Sequence, residues 1–421
     1  MLLYNQFKAI LFDKNNLGVI HMIKKHRLIL SSFLLLLTGC SFSSSDSEGL
    51  NNELDKAPEE PVENFDNTRE DIEEDSRNIV SFYAVGDNLI HEQIIDYAKQ
   101  EDGHFDFKPI YRNLSEDIKH ADLAFINQES IIGGDELGFS GYPSFNTPSD
   151  MAEDLVELGF DIVSGSNNHS LDKGTTGIKN TLAYWDQYKD EVLFTGVFND
   201  QEHRDNIPII EANGLNFSVL TYTYGTNGIN PEFPYLLNYF DPELITNDVQ
   251  RAQEMSDFVI VAAHMGDEHS FTANQMQLEY AQLFADLGVD LVVGGHSHTI
   301  QPIEWITGEN GNEMLMVYSL GNFVAATTSD INLLGGSLSL DFVEDDGEYS
   351  IENVLFEPHV IHYETPDGDI DSRTNFELFK LDEYPNELAK QHALNNYEDN
   401  IIRVENYQRI VNEVIDSDFL E

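Results

Sequence analysis

The sequence predicts a layered α/β fold, and three observations predict it. Short, nearly continuous apolar runs recur along the chain, as strands covered on both faces require. Helical patterns lie between several of these runs. The runs also finish alike, in polar residues able to do chemistry.

In chain order, "IVSFYAVGDN" ends in Asp87, "ADLAFINQES" in Asn127 and Glu129, and "GFDIVSGSNNHS" in Asn167, Asn168 and His169. "DFVIVAAHMGDEH" ends in His264, Asp267, Glu268 and His269. "GVDLVVGGHSHTIQ" breaks at Gly294 and Gly295, which leave the backbone bare just before His296 and His298. "MLMVYSLGNF" ends in Asn322. Between them, "TPSDMAEDLVELGF" carries a Ser or Asp cap ahead of apolar residues at helical spacing, and "NQMQLEYAQLFADLGVD" reads likewise. One polar residue after one strand is ordinarily a cap or a turn. Six such ends point to a shared site, because ligands in these folds bind beyond the carboxyl ends of the strands.

Other stretches complete the domain. "GLNFSVLTYTYG" adds a strand before a long loop at 225–242. Beyond Asn322, "GGSLSLDFVEDDGEYSIENVLFEPHVIHY" reads as antiparallel hairpins turning at "EDDGE". Residues 374–421 are mostly helical by period and offer no site chemistry, so 366–421 reads as a helical extension to a domain at 79–365. The folded part begins near Ile79.

The first 78 residues have a different character. "MIKKHRLILSSFLLLLTGC" has a basic start, an apolar stretch of about 10 residues, too short to span a bilayer, and a closing Leu37-Thr38-Gly39-Cys40. These are the three parts of a secretory signal. The Leu-Thr-Gly-Cys end resembles the bacterial lipobox, which implies lipidation of Cys40, a start at Met22 and membrane attachment at the outer face of the cytoplasmic membrane. Residues 41–78, rich in Ser, Asn, Asp and Glu, bury too little apolar surface to offset chain entropy and read as a disordered acidic tether. Segment 1–40 is therefore signal and segment 41–78 linker.

Composition narrows the partners. The chain has 421 residues, 22 basic against 76 acidic, and a formal charge of −54. Nucleic acid is excluded as a partner, since phosphate binding needs Lys and Arg to displace counterions. Anions are repelled at long range unless bound metal reverses the local field. Cys40 is the single cysteine, so no disulfide forms within the chain.

His, Asp, Glu and Asn at strand ends, without thiolates, suit one or two divalent ions such as manganese, zinc or iron. His296 and His298 flank Ser297 and can point toward one centre or two adjacent ones; a carboxylate such as Glu129 can bridge two ions. Three further residues stay open between roles. Glu268 faces substrate, orients an imidazole, or is a solvated acid. Asp172 hydrogen-bonds His169 or caps the helix that follows. Asn322 is structural or lines the site.

The set "VGDNLIH", "NQES", "SNNHSLDKG", "AAHMGDEH", "GGHSHTIQP" and "YSLGNF" resembles, in order, the motif ladder of the calcineurin-like metallophosphoesterases. More closely, it resembles their CapA branch, the bacterial capsule or poly-γ-glutamate synthesis proteins. The resemblance covers roughly residues 79–330. It implies a four-layer α/β/β/α sandwich with a metal site at one edge. It further implies one ion on Asn168, His264 and His296, another on Asp87 and His298, Glu129 bridging, and His169 as acid or stabiliser of developing charge.

The sequence also departs from the superfamily pattern. Leu89 stands where a histidine ligand is usual; His91 substitutes if a helical turn begins there, or is a surface residue. Glu129 or Asn127 replaces the bridging aspartate; within the CapA-like pattern, Met265 stands where an aromatic residue is usual, His269 where a tyrosine is, and Asn146 where the residue is often basic. The resemblance implies a membrane-anchored extracytoplasmic protein of capsule or poly-γ-glutamate biosynthesis whose metal site hydrolyses a phosphoester in an anionic envelope polymer or its precursor. The alternative is a non-catalytic accessory or scaffold subunit of a polymer synthase or export complex, with synthase subunits as partners.

Overall fold

The computed structural model describes residues 77–398 and 400–420. The signal and lipobox segment with Cys40, and all but the last residues of the acidic linker, lie outside the described residues. The chain first builds one sheet from β1 (Asn78–Leu89), β2 (Leu123–Asn127), β3 (Ile162–Ser164) and β4 (Leu193–Thr195), parallel neighbours in that order. A second sheet follows, from β5 (Ile209–Ala212), β6 (Leu215–Thr223), β7 (Phe258–His264), β8 (Leu291–Gly295), β9 (Ile303–Thr307) and β10 (Glu313–Val317). Its order is β5-β6-β7-β8-β10-β9. The chain then returns to the first sheet, adding β11 (Asn322–Ala325) beside β1 and the antiparallel run β12 (Leu334–Asp345), β13 (Glu348–Glu364) and β14 (Thr374–Lys380).

The sheets pack through aromatic side chains. Phe342 of β12 meets Phe82 of its own sheet at 5.5 Å, and Phe217 and Phe258 of the other sheet at 5.0 and 4.7 Å between ring centroids. Buried aromatic pairs of this geometry contribute about 0.5–1.5 kcal/mol each beyond their area. Helices cover the outer faces. α1 (Glu92–Ala98) and α2 (Asp150–Leu158) bury Ile94, Ile95, Met151 and Leu155 in the core of the first sheet, and α3 (Gly174–Trp185) follows the end of β3. α4 (Pro242–Gln253) and α5 (Gln275–Leu287) cover the second sheet with Ile245, Val249, Ala281 and Phe284. The layers therefore run helix, sheet, sheet, helix, the predicted class.

Local sequence explains the helix ends. Asn274 and Gln277 form a reciprocal capping box at the start of α5, and Gly288 ends it in a left-handed conformation. α2 stops the same way at Gly159.

The helical reading of the C-terminal segment needs correction. Thr374–Lys380 is a strand, because "TNFELFK" alternates: Phe376 and Leu378 are buried while Asn375 is exposed. Period two fits the sheet edge offered by β13 better than any helical register does. Helix appears only later, chiefly in α6 (Val404–Val414).

Candidate metal centre

Strand register sets the site. In the first sheet Asp87 pairs with Asn127 of β2 and with Asn322 of β11, and Asn127 pairs with Ser164 of β3. In the second, Thr223, His264 and Gly295 lie in one row across β6, β7 and β8. The chemistry-bearing ends of both sheets thus fall on two aligned rows, and the loops after them supply the rest.

Glu129 is the centre of the arrangement. It is fully buried, and neither carboxylate oxygen has a hydrogen-bond partner among the described residues. Its Oε1 lies 3.5 Å from His264 Nε2, and its Oε2 lies 3.7 Å from His298 Nδ1. His264 Nε2 is also 2.8 Å from Asn168 Oδ1. His298 Nδ1 is 3.4 Å from Asp87 Oδ2 and 2.9 Å from Asn322 Oδ1. Ligand atoms of Glu129, His264 and His296 cluster within 4.8 Å of one another, as do those of Asp87, Glu129 and His298. Glu129 belongs to both groups. A third group joins Glu268, exposed at the rim, to His296 and His298.

The two histidines that follow Gly294 and Gly295 are held in place by their neighbours. His296 and His298 have φ of 90° and 56°, left-handed values that cost a non-glycine residue about 1–3 kcal/mol. Neighbours over-determine them. The His296 N–H donates to Asp87 Oδ2 at 2.9 Å, His269 N–H to Ser297 O at 2.7 Å, and Asn332 Nδ2 to His298 O at 2.7 Å. The glycines before them are needed for close approach. A Cβ on Gly294 would sit 2.1 Å from Tyr318 O, and one on Gly295 would sit 2.5 Å from Asp87 Oδ1.

Electrostatics agree with a cation-seeking site. Burial alone would raise the Asp87 carboxyl, but the His298 hydrogen bond and the charges of His264 and His298 bring it down to about 2. Burial would depress His298, yet Glu129 and Asp87 raise it to about 10. His296 falls to about 2, through burial first and then the neighbouring histidine charges. Its Nδ1 has no hydrogen-bond partner among the described residues. Orphaned carboxylate oxygens beside an orphaned imidazole nitrogen are costly unless a cation satisfies them, and this donor set fits a divalent ion.

His169 stands beside this cluster rather than in it. Its Nδ1 is 2.7 Å from Asp172 Oδ2, and its ring packs edge-on against Phe145 at 4.6 Å. Asp172 therefore orients the histidine, while also accepting the Phe145 N–H. Asn127 donates to Asp87 Oδ1 at 2.7 Å, so it steadies a ligand. Asn322 lines the site through His298. His91 joins none of the ligand groups among the described residues; its Nδ1 lies 3.0 Å from Leu89 O, to which it donates, and its ring packs on Phe145. Asn146 serves the backbone at Gly133, Gly134 and Gly138, and Met265 is buried in the core.

Two neighbours escaped the sequence reading. The ring of Tyr224 lies 4.3 Å from that of His296, and Asn227 Oδ1 accepts from Asn168 Nδ2 at 3.3 Å. Both follow β6, so the strand-end rule used for the other segments would have found them.

A two-sheet α/β sandwich with clustered imidazole, carboxylate and amide groups at its strand ends defines a fold with a candidate metal site. The family model described as "Bacterial capsule synthesis protein PGA_cap" matches residues 81–327, and the chain belongs to that family. It is 28% identical over 180 residues to "PGA biosynthesis protein CapA" of Bacillus subtilis (strain 168), covering 40% of this chain and 44% of that one. It is 24% identical over 226 residues to "Capsule biosynthesis protein CapA" of Bacillus anthracis, covering 51% and 53%. The matched region spans about half the length of these relatives. Similar solved structures include a Mycoplasma pneumoniae phosphatase and the calcineurin-like phosphoesterase YfkN of Bacillus subtilis. Each has a TM-score of 0.40 and 13% identity, covering 67% of this chain and 93% and 90% of theirs. Among the described residues no helix is long and apolar enough to cross a membrane.

Proposed function

We propose that the chain is a metal-dependent phosphoester hydrolase of capsule or poly-γ-glutamate biosynthesis, held at the outer face of the cytoplasmic membrane by lipidated Cys40. Its substrate is an anionic envelope polymer or a precursor of it, and subunits of a polymer synthase are its partners. Family membership supports the biosynthetic setting. The observation that carries the hydrolase reading is Glu129, whose two unpartnered oxygens face two different ligand groups.

Asn168, His264 and His296 would hold one divalent ion and Asp87 and His298 a second, with Glu129 shared. Manganese, zinc and iron all suit such nitrogen and oxygen donors. A divalent ion held there would supply Lewis acidity, lowering the pKa of water and polarising a phosphoryl oxygen. The chain's own residues do the rest. Asp172 occupies Nδ1 of His169, which leaves Nε2 to give a proton to a leaving oxygen or to steady its charge. Asn322 and Asn127 fix His298 and Asp87, and the exposed Glu268 meets whatever enters at the rim.

The test is turnover of a generic aryl phosphodiester by the manganese-loaded protein. His169→Ala should lower turnover by about 10²–10⁴-fold, the usual worth of a general acid, with metal content unchanged. A metal-loaded wild type with no turnover that still binds polyglutamate would instead establish the accessory, scaffold reading.

A further inference from the structure

One cationic side chain near the site has no assigned role. Arg373 lies in an acidic stretch, "PDGDIDSRTN", just before β14, yet it is only 9% exposed. Its Nε and Nη1 have no hydrogen-bond partner among the described residues. The guanidinium lies 5.9 Å from the centroid of the Tyr363 ring. A buried guanidinium is costly unless paired, and in a chain with 76 acidic residues no described carboxylate comes within salt-bridge distance of this one. By contrast Lys173, beside Asp172, spends its ammonium on Ser140 and Ser144.

A short chain of contacts joins Arg373 to the metal centre. Tyr363, under the guanidinium, donates its hydroxyl to Thr327 O. The preceding residue, Ala326, has its backbone nitrogen 3.3 Å from His91 Nδ1. Both follow β11, which begins at Asn322, the residue holding His298. The His91 ring in turn packs on Phe145 at 5.2 Å, and Phe145 packs on His169. His91 is held down to about 4, first by burial and then by the Arg373 charge, with the charges of His298 and His169 acting on it as well. Arg373 is therefore linked to the His91 side of the site, near enough for its charge to act on that imidazole.

We propose that Arg373 is an anion-binding residue at the margin of the metal centre, holding a second oxyanion of the substrate, a carboxylate or a phosphate, while the reacting group sits at the metal ligands. The inference rests on the hydrolase reading above and narrows its substrate to one with at least two negative groups. Arginine suits the role because its donors lie in a fixed plane and its charge persists at any working pH.

The experiment is calorimetric titration of the manganese-loaded full chain with two probes, a short γ-linked glutamate oligomer and inorganic phosphate. Wild type should bind at least one of them. Arg373→Gln should weaken that binding about tenfold or more, as loss of a charge-assisted hydrogen bond does, with metal content by elemental analysis unchanged. Arg373→Lys should restore only part of it, and this variant decides the matter if the glutamine variant does not fold. A loss confined to the oligomer identifies a carboxylate, and a loss confined to phosphate identifies a phosphoryl group. Unchanged affinity for both probes in a variant that keeps its metal would overturn the proposal, as would a wild type that binds neither. Failure of the hydrolase reading appears separately, as absent turnover in the wild type.

Discussion

Replacing Glu129 with glutamine tests the two-ion arrangement at its shared member. In metal-free protein the substitution has two opposed effects: it removes a buried carboxylate that has no hydrogen-bond partner among the described residues, and it removes the largest charge raising His298. Chelated variant and chelated wild type therefore set the baseline for the comparison. In metal-loaded protein the difference should be large. Metal at a hundred times its Kd stabilises the wild type by about 2.7 kcal/mol, which at about 2 °C per kcal/mol for a domain this large is roughly 5 °C in Tm. An amide supplies one weak oxygen donor where the carboxylate supplied two charged ones, so the variant should lose most of that shift. The assay is thermal unfolding of both proteins with manganese and with chelator, alongside elemental analysis. A variant that retains the wild-type metal content and the full metal-induced shift would refute the placement of Glu129 between ions.

Gly295→Ala should lower metal affinity at least about tenfold by equilibrium dialysis, because the new Cβ would stand 2.5 Å from Asp87 Oδ1 and 3.5 Å from His264 Nδ1. Asp290 carries a separate pH signature. Burial raises its carboxyl from 3.8 to about 7, despite its bond from the Val259 N–H. A raised folded-state pKa favours the folded protein below pH 3.8 and loses that advantage as pH climbs through 7. At about 1.4 kcal/mol per pH unit the loss is on the order of 2–4 kcal/mol, the lower figure allowing for the residue's partial exposure. Asp290→Asn keeps an acceptor for Val259 and should flatten chemical-denaturation stability between pH 4 and 7; an unaltered slope would refute it.

Much of the site was legible because its signal is repeated. A polar residue after an apolar run says little once, but Asp87, Glu129, Asn168, His264 and the pair His296 and His298 say it from five separate segments, and the structure draws them together. What was not legible is which sheet each run joins. β2 and β8 are both fully buried apolar strands of similar length, and nothing in either segment encodes its neighbour. β14 was misread because "NFELFKLDEY" meets both periods over so short a span, and the sheet edge that decides between them is contributed by distant β13. Arg373 carried no motif at all. Its meaning comes from burial and from missing partners, quantities that exist only after folding.

The charge pattern ties these strands together. On the proposed function, a chain of formal charge −54 must still admit an anionic polymer. Long-range repulsion fades over roughly 8–10 Å at physiological salt, so only the field inside the site has to favour the substrate. Asp87 and Glu129 place two negative charges there, and two divalent ions would more than reverse them. Arg373, on the proposal above, adds a fixed positive charge near His91, whose ring packs on Phe145. On this account the acidic surface keeps polymer from settling anywhere else, and substrate enters only where cations are held. Binding should then strengthen with added metal and lose this selectivity when the metal is removed.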